Sequence, residues 1–188
     1  MKITETSLPG VLVLIATIYR DSRGAFCETF NQRRMEEAGL PAVWVQDNFS
    51  LSKKNVLRGI HYQITQPQGK LVRVTHGAVL DVAVDLRRSS PAFGKHVAVE
   101  LNGESGEMLW IPPGFGHAFL ALTDQVGFAY KVTDYYSPAG ERTIVWNDPD
   151  IAIAWPIEPA DAIVSDKDRA GFALRDAELF SEWQATFE

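Results

Sequence analysis

Apolar and polar residues alternate with a period of two along most of the chain, which is the pattern of half-buried β-strands. KLVRVTHGAVLDVAVDLR at 70–87 alternates on both sides of His76-Gly77, and that pair predicts a break between two strands. HVAVEL at 96–101 alternates again and stops at Asn102-Gly103, a pair typical of a hairpin turn. We therefore expect many short strands that are joined by tight turns.

The second half of the chain continues this pattern, and only two stretches have a helical one. EMLWIPPGFGHAFLAL at 107–122 predicts a strand, a Pro-Pro-Gly turn and a strand, and VGFAYKVTDYY at 126–136 predicts another strand. The predicted helices are NQRRMEEAG at 31–39, with Asn31 as N-cap and Gly39 as C-cap, and RDAELFSEWQ at 175–184. The pattern is that of an all-β protein, a jelly-roll β-sandwich or barrel with a few short peripheral helices.

Composition and charge exclude several classes of protein. The 188 residues have no linker, repeat or low-complexity stretch, so we expect one domain over 1–188. The net charge of -6 is evenly spread, which argues against nucleic acid or a membrane as a partner. Cys27 is the one cysteine, no signal peptide opens the chain, and VLVLIATI at 11–18 is too short to span a bilayer. A soluble, cytoplasmic protein is the expectation.

The strand-like segment VLRGIHYQ at 56–63 has polar residues where packing favours Val or Ile. In a regular pleat, Arg58 and His61 would face opposite sides of the sheet. Gly59 lies between them, and a glycine inside a strand often marks a β-bulge. A bulge there would bring both side chains into one cavity.

Other polar groups lie near predicted strand ends. QDN at 46–48 is predicted to end a strand, Lys70 to open one, and His117 follows the glycine-rich turn IPPGFG. Tyr130 interrupts an apolar run. Each of these residues, taken singly, also fits a structural role.

Five segments together resemble one family, the dTDP-4-dehydrorhamnose 3,5-epimerases of the cupin superfamily. They are, in chain order, QDNFSLSKKNVLRGIHYQ, GAVLDVAVDLR, IPPGFGHAFLAL, YKVTDYYSPAGE and SDKD. The resemblance runs from about Thr6 to about Asp176. It implies inversion of C3 and C5 of dTDP-4-dehydro-6-deoxy-D-glucose to give dTDP-4-dehydro-β-L-rhamnose, for cell-surface polysaccharide. It also implies no cofactor and a homodimer with exchanged strands.

The resemblance gives His61 the role of the base. Because the ketone is at C4, the hydrogens on C3 and C5 are both acidic, and a neutral imidazole can remove them. The base needs a partner that fixes its tautomer. The resemblance assigns that role to Asp168, with Asp166 as a nearby alternative. Either pairing requires the C-terminal segment 165–188 to pack back on the sandwich.

The acid that returns a proton to the opposite face corresponds to Tyr130. A phenol is neutral at pH 7 and can donate a proton; Tyr135 and Tyr136 are the local competitors. The resemblance places Lys70 beside the ketone oxygen and Arg58 close to it, so that two positive charges would stabilise the enolate.

Further positions match the family's ligand site. They are Arg23, Glu28, Gln46, Asp47, Asn48, His117, Tyr136, Glu141 and Lys167. Arg23 and Lys167 are natural partners of a diphosphate. An aromatic ring such as Tyr136 could stack on thymine.

Three alternatives remain open at this point. An enzyme of the same fold could invert only C3 or only C5, or isomerise the ketone between C3 and C4. A non-catalytic, sugar-binding jelly roll is the third alternative. A cupin metal centre is not expected, because none of the four histidines are spaced as H-x-H.

Overall fold

The computed structural model describes residues 1–181, which form mostly β-structure. The strands are β1 (Lys2–Glu5), β2 (Leu12–Ile15), β3 (Ile18–Asp21), β4 (Gly24–Cys27), β5 (Gln46–Ser52), β6 (Val56–Gln63), β7 (Lys70–His76), β8 (Ala78–Asp85), β9 (His96–Asn102), β10 (Glu107–Ile111), β11 (Phe115–Ala121), β12 (Val126–Val132), β13 (Glu141–Thr143) and β14 (Ile163–Val164). The helices are α1 (Gln32–Glu37) and α2 (Asp166–Arg169), and 3-10 turns lie at Pro159–Asp161 and Leu174–Asp176. In this part of the chain no helix is long and apolar enough to cross a membrane.

Two antiparallel sheets form the sandwich. The strand order in the first sheet is β1-β2-β10-β7-β12-β5, and in the second it is β13-β6-β11-β8-β9. β14 adds to the second sheet by pairing in parallel with β6. β3 and β4 form a separate two-stranded ribbon. The predicted all-β, jelly-roll class is confirmed.

The main core lies between the two sheets. Val72 and Phe128 of the first sheet pack in one cluster with Val79, Ala83 and Phe119 of the second. The rings of Phe119 and Phe128 are stacked with centroids 4.3 Å apart. Burial of one such side chain contributes about 1.5–3 kcal/mol to the stability of the fold. This shared apolar layer therefore holds the two sheets together.

The predicted hairpin at Asn102-Gly103 is wrong, although the turn itself is present. β9 pairs with β8, whereas β10 pairs with β2 and β7 in the other sheet. The side chain of Asn102 accepts hydrogen bonds from the backbone N–H groups of Glu104 and Ser105, both at 2.9 Å. A turn signal fixes the local reversal of the chain, but long-range packing decides which strands pair.

The first predicted helix is confirmed and the second is wrong in its described part. Asn31 caps α1 by accepting from the backbone N–H of Arg34, while Ala38 takes the C-cap position and Gly39 follows with φ +67°. After the 3-10 turn at Leu174–Asp176 the chain runs extended to Phe180, which bridges to Arg87. Tertiary packing explains this, because Leu174, Ala177, Leu179 and Phe180 join the core cluster outside the second sheet. Residues 182–184 of the predicted helix lie outside the described part.

Candidate active site

A β-bulge in β6 brings two predicted site residues to the same side of the second sheet. His61 lies opposite His117, and Arg58 opposite Phe119, so three steps along β6 match two along β11. Gly59 has a φ of +113°, and a Cβ at this position would lie 2.5 Å from the carbonyl oxygen of His117. Only glycine fits this close approach. The predicted bulge is confirmed, and it turns Arg58 and His61 towards the space between the sheets.

His61 is paired with Asp168 from the C-terminal segment. Its Nε2 lies 2.5 Å from Oδ1 of Asp168, whose side chain is 5% exposed. Ser165 caps α2 by accepting from the backbone N–H of Asp168. Burial by itself would raise the pKa of Asp168, but hydrogen bonds from His61, Ser165 and the Gly59 backbone lower it. Asp166, the alternative partner, is exposed.

Tyr130 faces the same interior from the opposite sheet. It lies in β12 between Asn48 of β5 and Val72 of β7, and it packs against the main core. Burial raises its pKa, and the positive charge of Arg58 opposes this only in part. The phenol therefore keeps its proton at neutral pH and can act as an acid.

Lys70 opens β7, as predicted, and its register partner in β12 is Val132, two residues from Tyr130. Burial lowers the pKa of Lys70 to about 8, although the negative charges of Asp81 and Glu141 oppose the shift. At neutral pH its ammonium group is largely charged while being poorly hydrated. Such a group stabilises a developing negative charge more strongly than one in open water.

His117 forms a second histidine–aspartate pair deeper between the sheets. Its Nε2 lies 3.0 and 3.1 Å from the two carboxylate oxygens of Asp81, and both residues are buried. Asp81 was missed in the sequence. The alternation in β8 could have revealed it. Asp81 is an acid on the same face of the strand as Val79 and Ala83, which are both in the core.

Glu141 joins two of the predicted binding residues. One carboxylate oxygen lies 2.5 Å from Nζ of Lys167, and the other accepts a hydrogen bond from the hydroxyl of Tyr136 at 2.8 Å. Burial would raise the pKa of Glu141, but these bonds and the nearby positive charges lower it. Glu141 thus holds the cation of Lys167 and the aromatic ring of Tyr136 at the edge of the space between the sheets, which we call the rim.

The predicted QDN segment is divided between the two faces of the first sheet. It opens β5 instead of ending a strand, which corrects the expectation. Gln46 and Asn48 are bonded to each other at 2.8 Å, and Gln46 also accepts from the backbone N–H of Tyr136. Asp47 points to the outer face, where it forms an ion pair with Lys131 at 2.8 Å. The period of two of a strand imposes this separation.

Arg23 and Glu28 are not joined to this group within one chain. Arg23 lies in the turn of the β3–β4 ribbon, is 88% exposed, and forms an ion pair with Asp21. Glu28 contacts Arg34 and Asn31 near α1. The contacts of both residues are local, so neither is held near His61 or Tyr130 by its own chain.

The arrangement is suited to moving protons on two sides of a small molecule. A histidine–aspartate pair projects from one sheet and a protonated phenol projects from the facing sheet, and Arg58 is close enough to the phenol to affect its pKa. Among residues 1–181 no cluster of three or more His, Cys, Asp or Glu side chains could hold a metal ion. The chemistry that this site offers is acid–base catalysis with stabilisation of an oxyanion.

Comparison with known proteins agrees with this chemistry. A family model described as dTDP-4-dehydrorhamnose 3,5-epimerase matches residues 5–176. The curated protein of that description from Pseudomonas aeruginosa is 51% identical over 181 residues, which cover 96% of this chain and 99% of the relative.

Solved structures give the same result for the fold. A dTDP-6-deoxy-D-glucose 3,5-epimerase from Legionella pneumophila, in complex with dTDP-4-keto-L-rhamnose, is 46% identical with a TM-score of 0.94 and covers 98% of this chain and 99% of its own. A 3′-monoepimerase from Streptomyces bikiniensis, in complex with dTDP-quinovose, is 36% identical with a TM-score of 0.85 and covers 90% of this chain and 86% of its own. The family resemblance found in the sequence is confirmed: this chain belongs to the dTDP-4-dehydrorhamnose 3,5-epimerase family, whose members are isomerases.

Proposed function

We propose that this chain inverts C3 and C5 of dTDP-4-dehydro-6-deoxy-D-glucose, giving dTDP-4-dehydro-β-L-rhamnose for cell-surface polysaccharide. The observation that supports this most directly is the placement of the His61–Asp168 pair and Tyr130 on two facing sheets. Inversion requires removal of a proton from one face of the sugar and delivery to the other, and residues from opposite sheets can reach opposite faces.

The base in this proposal is Nδ1 of His61. Nε2 faces a carboxylate oxygen, which can only accept, so Nε2 carries the hydrogen and Nδ1 keeps its lone pair. Nδ1 takes the proton from C3 or C5, and the electrons of the C–H bond form an enolate with the C4 carbonyl. Asp168 stabilises the imidazolium that results.

Lys70 and Arg58 support the enolate. The ammonium of Lys70 is poorly hydrated, and Arg58 is close enough to Tyr130 to affect its pKa. Lys70 also acts on the pKa of His117, the register partner of His61, so the proposal assigns both cations to the region of the base and the acid. Stabilisation of the oxyanion is usually the largest contribution in such reactions.

Tyr130 completes the inversion by donating its proton to the carbon from the side opposite His61. The phenolate then takes a proton from solvent, and His61 loses its proton before the second carbon reacts. Each step uses groups of the chain and water, so the proposal requires no cofactor.

The nucleotide part of the ligand is assigned to the rim. Lys167 would contact the diphosphate, while Tyr136, Gln46 and Asn48 would contact the base or sugar. The network around Glu141 supports this, because it holds Lys167 and Tyr136 in fixed positions. We also propose a cytoplasmic location, which the single cysteine supports.

A homodimer with exchanged strands is part of the same proposal. Arg23 and Glu28 match ligand-site positions of the family, yet their contacts within one chain are local. Exchange of the β3–β4 ribbon would place them in the site of the partner subunit. Exposed Tyr19 and Phe26 on this ribbon support a contact with a second copy.

A mono-epimerase is the second candidate, since a 3′-monoepimerase is among the structural relatives. Proton NMR of the substrate in deuterated water distinguishes the two. The proposal predicts exchange at both C3 and C5, whereas exchange at one carbon would establish the mono-epimerase. A protein that binds dTDP but causes no exchange would support the non-catalytic jelly roll.

A further inference from the structure

Asp81 is a carboxylate enclosed between the sheets that the proposed steps do not use. It is 0% exposed, and its neighbours in β8 at the same parity, Val79 and Ala83, belong to the main core. Burial of a carboxylate without a partner costs free energy of folding, so the groups that contact Asp81 indicate its role. Among residues 1–181 its hydrogen-bond partner is the imidazole of His117, and both carboxylate oxygens lie within 3.1 Å of Nε2.

This contact determines which ring nitrogen of His117 carries the hydrogen. A carboxylate only accepts, so Nε2 is the donor. Burial lowers the pKa of His117, Asp81 opposes the shift, and the electrostatic effects of the nearby Lys70 and His61 add to it. The ring is therefore neutral at pH 7, and Nδ1 has a lone pair.

The rest of the surroundings keep the ring in this orientation. The imidazole is stacked on Phe128, with centroids 6.0 Å apart and planes 23° from parallel. Because Nε2 donates to Asp81, the lone pair of Nδ1, on the other side of the ring, can accept a hydrogen bond. His117 lies directly opposite His61 in the sheet, so this acceptor is beside the proposed base.

We propose that Asp81 is a positioning residue that holds His117 in the Nε2–H tautomer, so that Nδ1 accepts a hydrogen bond from a hydroxyl group of the bound sugar. The identity of the ligand rests on the proposed function; the tautomer does not. The two histidine–aspartate pairs also differ in role. His61 is partly exposed and exchanges protons with the substrate, whereas His117 is buried and keeps the hydrogen on its Nε2.

Asp81 has a second effect through Lys70. The charged groups that act on Lys70 come from two strands: Asp81 of β8 and Glu141 of β13. The negative charge of Asp81 raises the pKa of Lys70 against the effect of burial. Without this charge, Lys70 would lose its proton at lower pH.

The tautomer can be measured directly in the unmodified enzyme. Long-range proton–nitrogen NMR of protein labelled with nitrogen-15 histidine distinguishes the two neutral tautomers and the imidazolium. We expect the Nε2–H pattern for His117 near neutral pH, assigned by its loss in His117→Gln. An Nδ1–H pattern, or protonation of both nitrogens, overturns the inference. This result does not depend on turnover, whereas failure of the proposed function would appear as absence of turnover in the unmodified enzyme.

Asp81→Asn tests the consequence. The amide can donate to Nε2, so the tautomer should shift, and kcat should fall about tenfold to 100-fold, by analogy with the outer partners of metal-bound histidines. Affinity for dTDP should be unchanged, and the alkaline limb of the pH profile should move to lower pH.

Asp85→Asn is the matched control. Asp85 is an equally buried carboxylate of the same strand, but it pairs with Arg87 and Ser90. We expect it to affect stability and to leave the tautomer and the alkaline limb unchanged. A folded Asp81→Asn enzyme with normal kcat and pH profile would overturn the inference, as would Asp85→Asn reproducing both effects. If Asp81→Asn does not fold, the spectrum of the unmodified enzyme decides.

Discussion

The Nε2 atom of His61 and the Oδ1 atom of Asp168 lie 2.5 Å apart, although 107 positions separate the two residues in the chain. The contact forms because β14 pairs with β6 and places α2 against the bulge of that strand. The position of the proposed base thus depends on packing of the C-terminal segment.

Replacement of His61 by Asn removes the base and keeps a polar side chain of moderate size. Turnover should fall by at least about 100-fold, the usual lower value for a positioned base. Steady-state kinetics measure the turnover, and calorimetry measures the affinity for dTDP. Because the nucleotide contacts lie elsewhere, affinity for dTDP should change little; unchanged turnover would contradict the assignment.

Asp168→Asn should reduce kcat and also alter the response to acid. The pKa of Asp168 is lowered from 3.8, so its carboxylate stabilises the fold above that pH, and this contribution is lost as the pH falls through the folded-state pKa. The variant should be less stable at neutral pH, and the difference should become smaller in acid. Urea denaturation at several pH values measures this. If the two proteins differed in free energy of unfolding by the same amount at every pH, ionisation of Asp168 would not be the cause.

Tyr130→Phe removes the acid and leaves the ring. We expect a loss of at least about 100-fold in epimerisation, while exchange of substrate hydrogen with deuterated water through His61 continues. Tyr62→Phe is the matched control, because Tyr62 donates from outside the second sheet to the backbone of Glu178. A similar loss in both variants would argue that the effect is structural.

The rate should decrease above about pH 8, where Lys70 loses its proton. Tyr130 does not limit this range, because its pKa is raised from 10.0. Lys70→Arg keeps the charge at high pH, so its residual activity should show no decrease there. A pH profile of kcat for both enzymes tests this; an identical alkaline limb would exclude Lys70 as its source.

Gly59→Ala should damage the site through the backbone. A φ of +113° and a Cβ 2.5 Å from a carbonyl oxygen are both unfavourable, and each effect costs about 1–3 kcal/mol. Gly39→Ala is the control, since Gly39 also has positive φ but open space around it, so about 1–2 kcal/mol is expected. Equal losses of stability would show that the contact with β11 is unimportant.

Mixing two inactive variants tests the exchange of strands. If Arg23 acts in the partner's site, a dimer of Arg23→Ala and His61→Asn has one intact site, so random mixing should restore about a quarter of the activity. Refolded mixtures and each variant alone are compared. If the mixture stays inactive while dimers form, Arg23 acts in its own subunit; if Arg23→Ala alone keeps its activity, Arg23 has no role in the site.

The sequence determined the all-β class, the strands around 70–87, the capped helix at 31–39 and the bulge in β6. These features depend on local properties: side-chain alternation, capping groups and the conformational freedom of glycine. The roles of His61, Asp168, Tyr130 and Lys70 were taken from family resemblance. Without the resemblance, the sequence pattern was also consistent with a purely structural role for each of these residues.

Tertiary structure decided which strands pair, so Asn102-Gly103 joins two sheets instead of forming a hairpin. It also turned Asp47 outward, kept the described part of the predicted helix at 175–184 from becoming α-helical, and brought Asp81 to His117. The reason is that strand pairing, burial and the pKa of a buried group depend on atoms far away in the chain. A local pattern contains no information about those atoms.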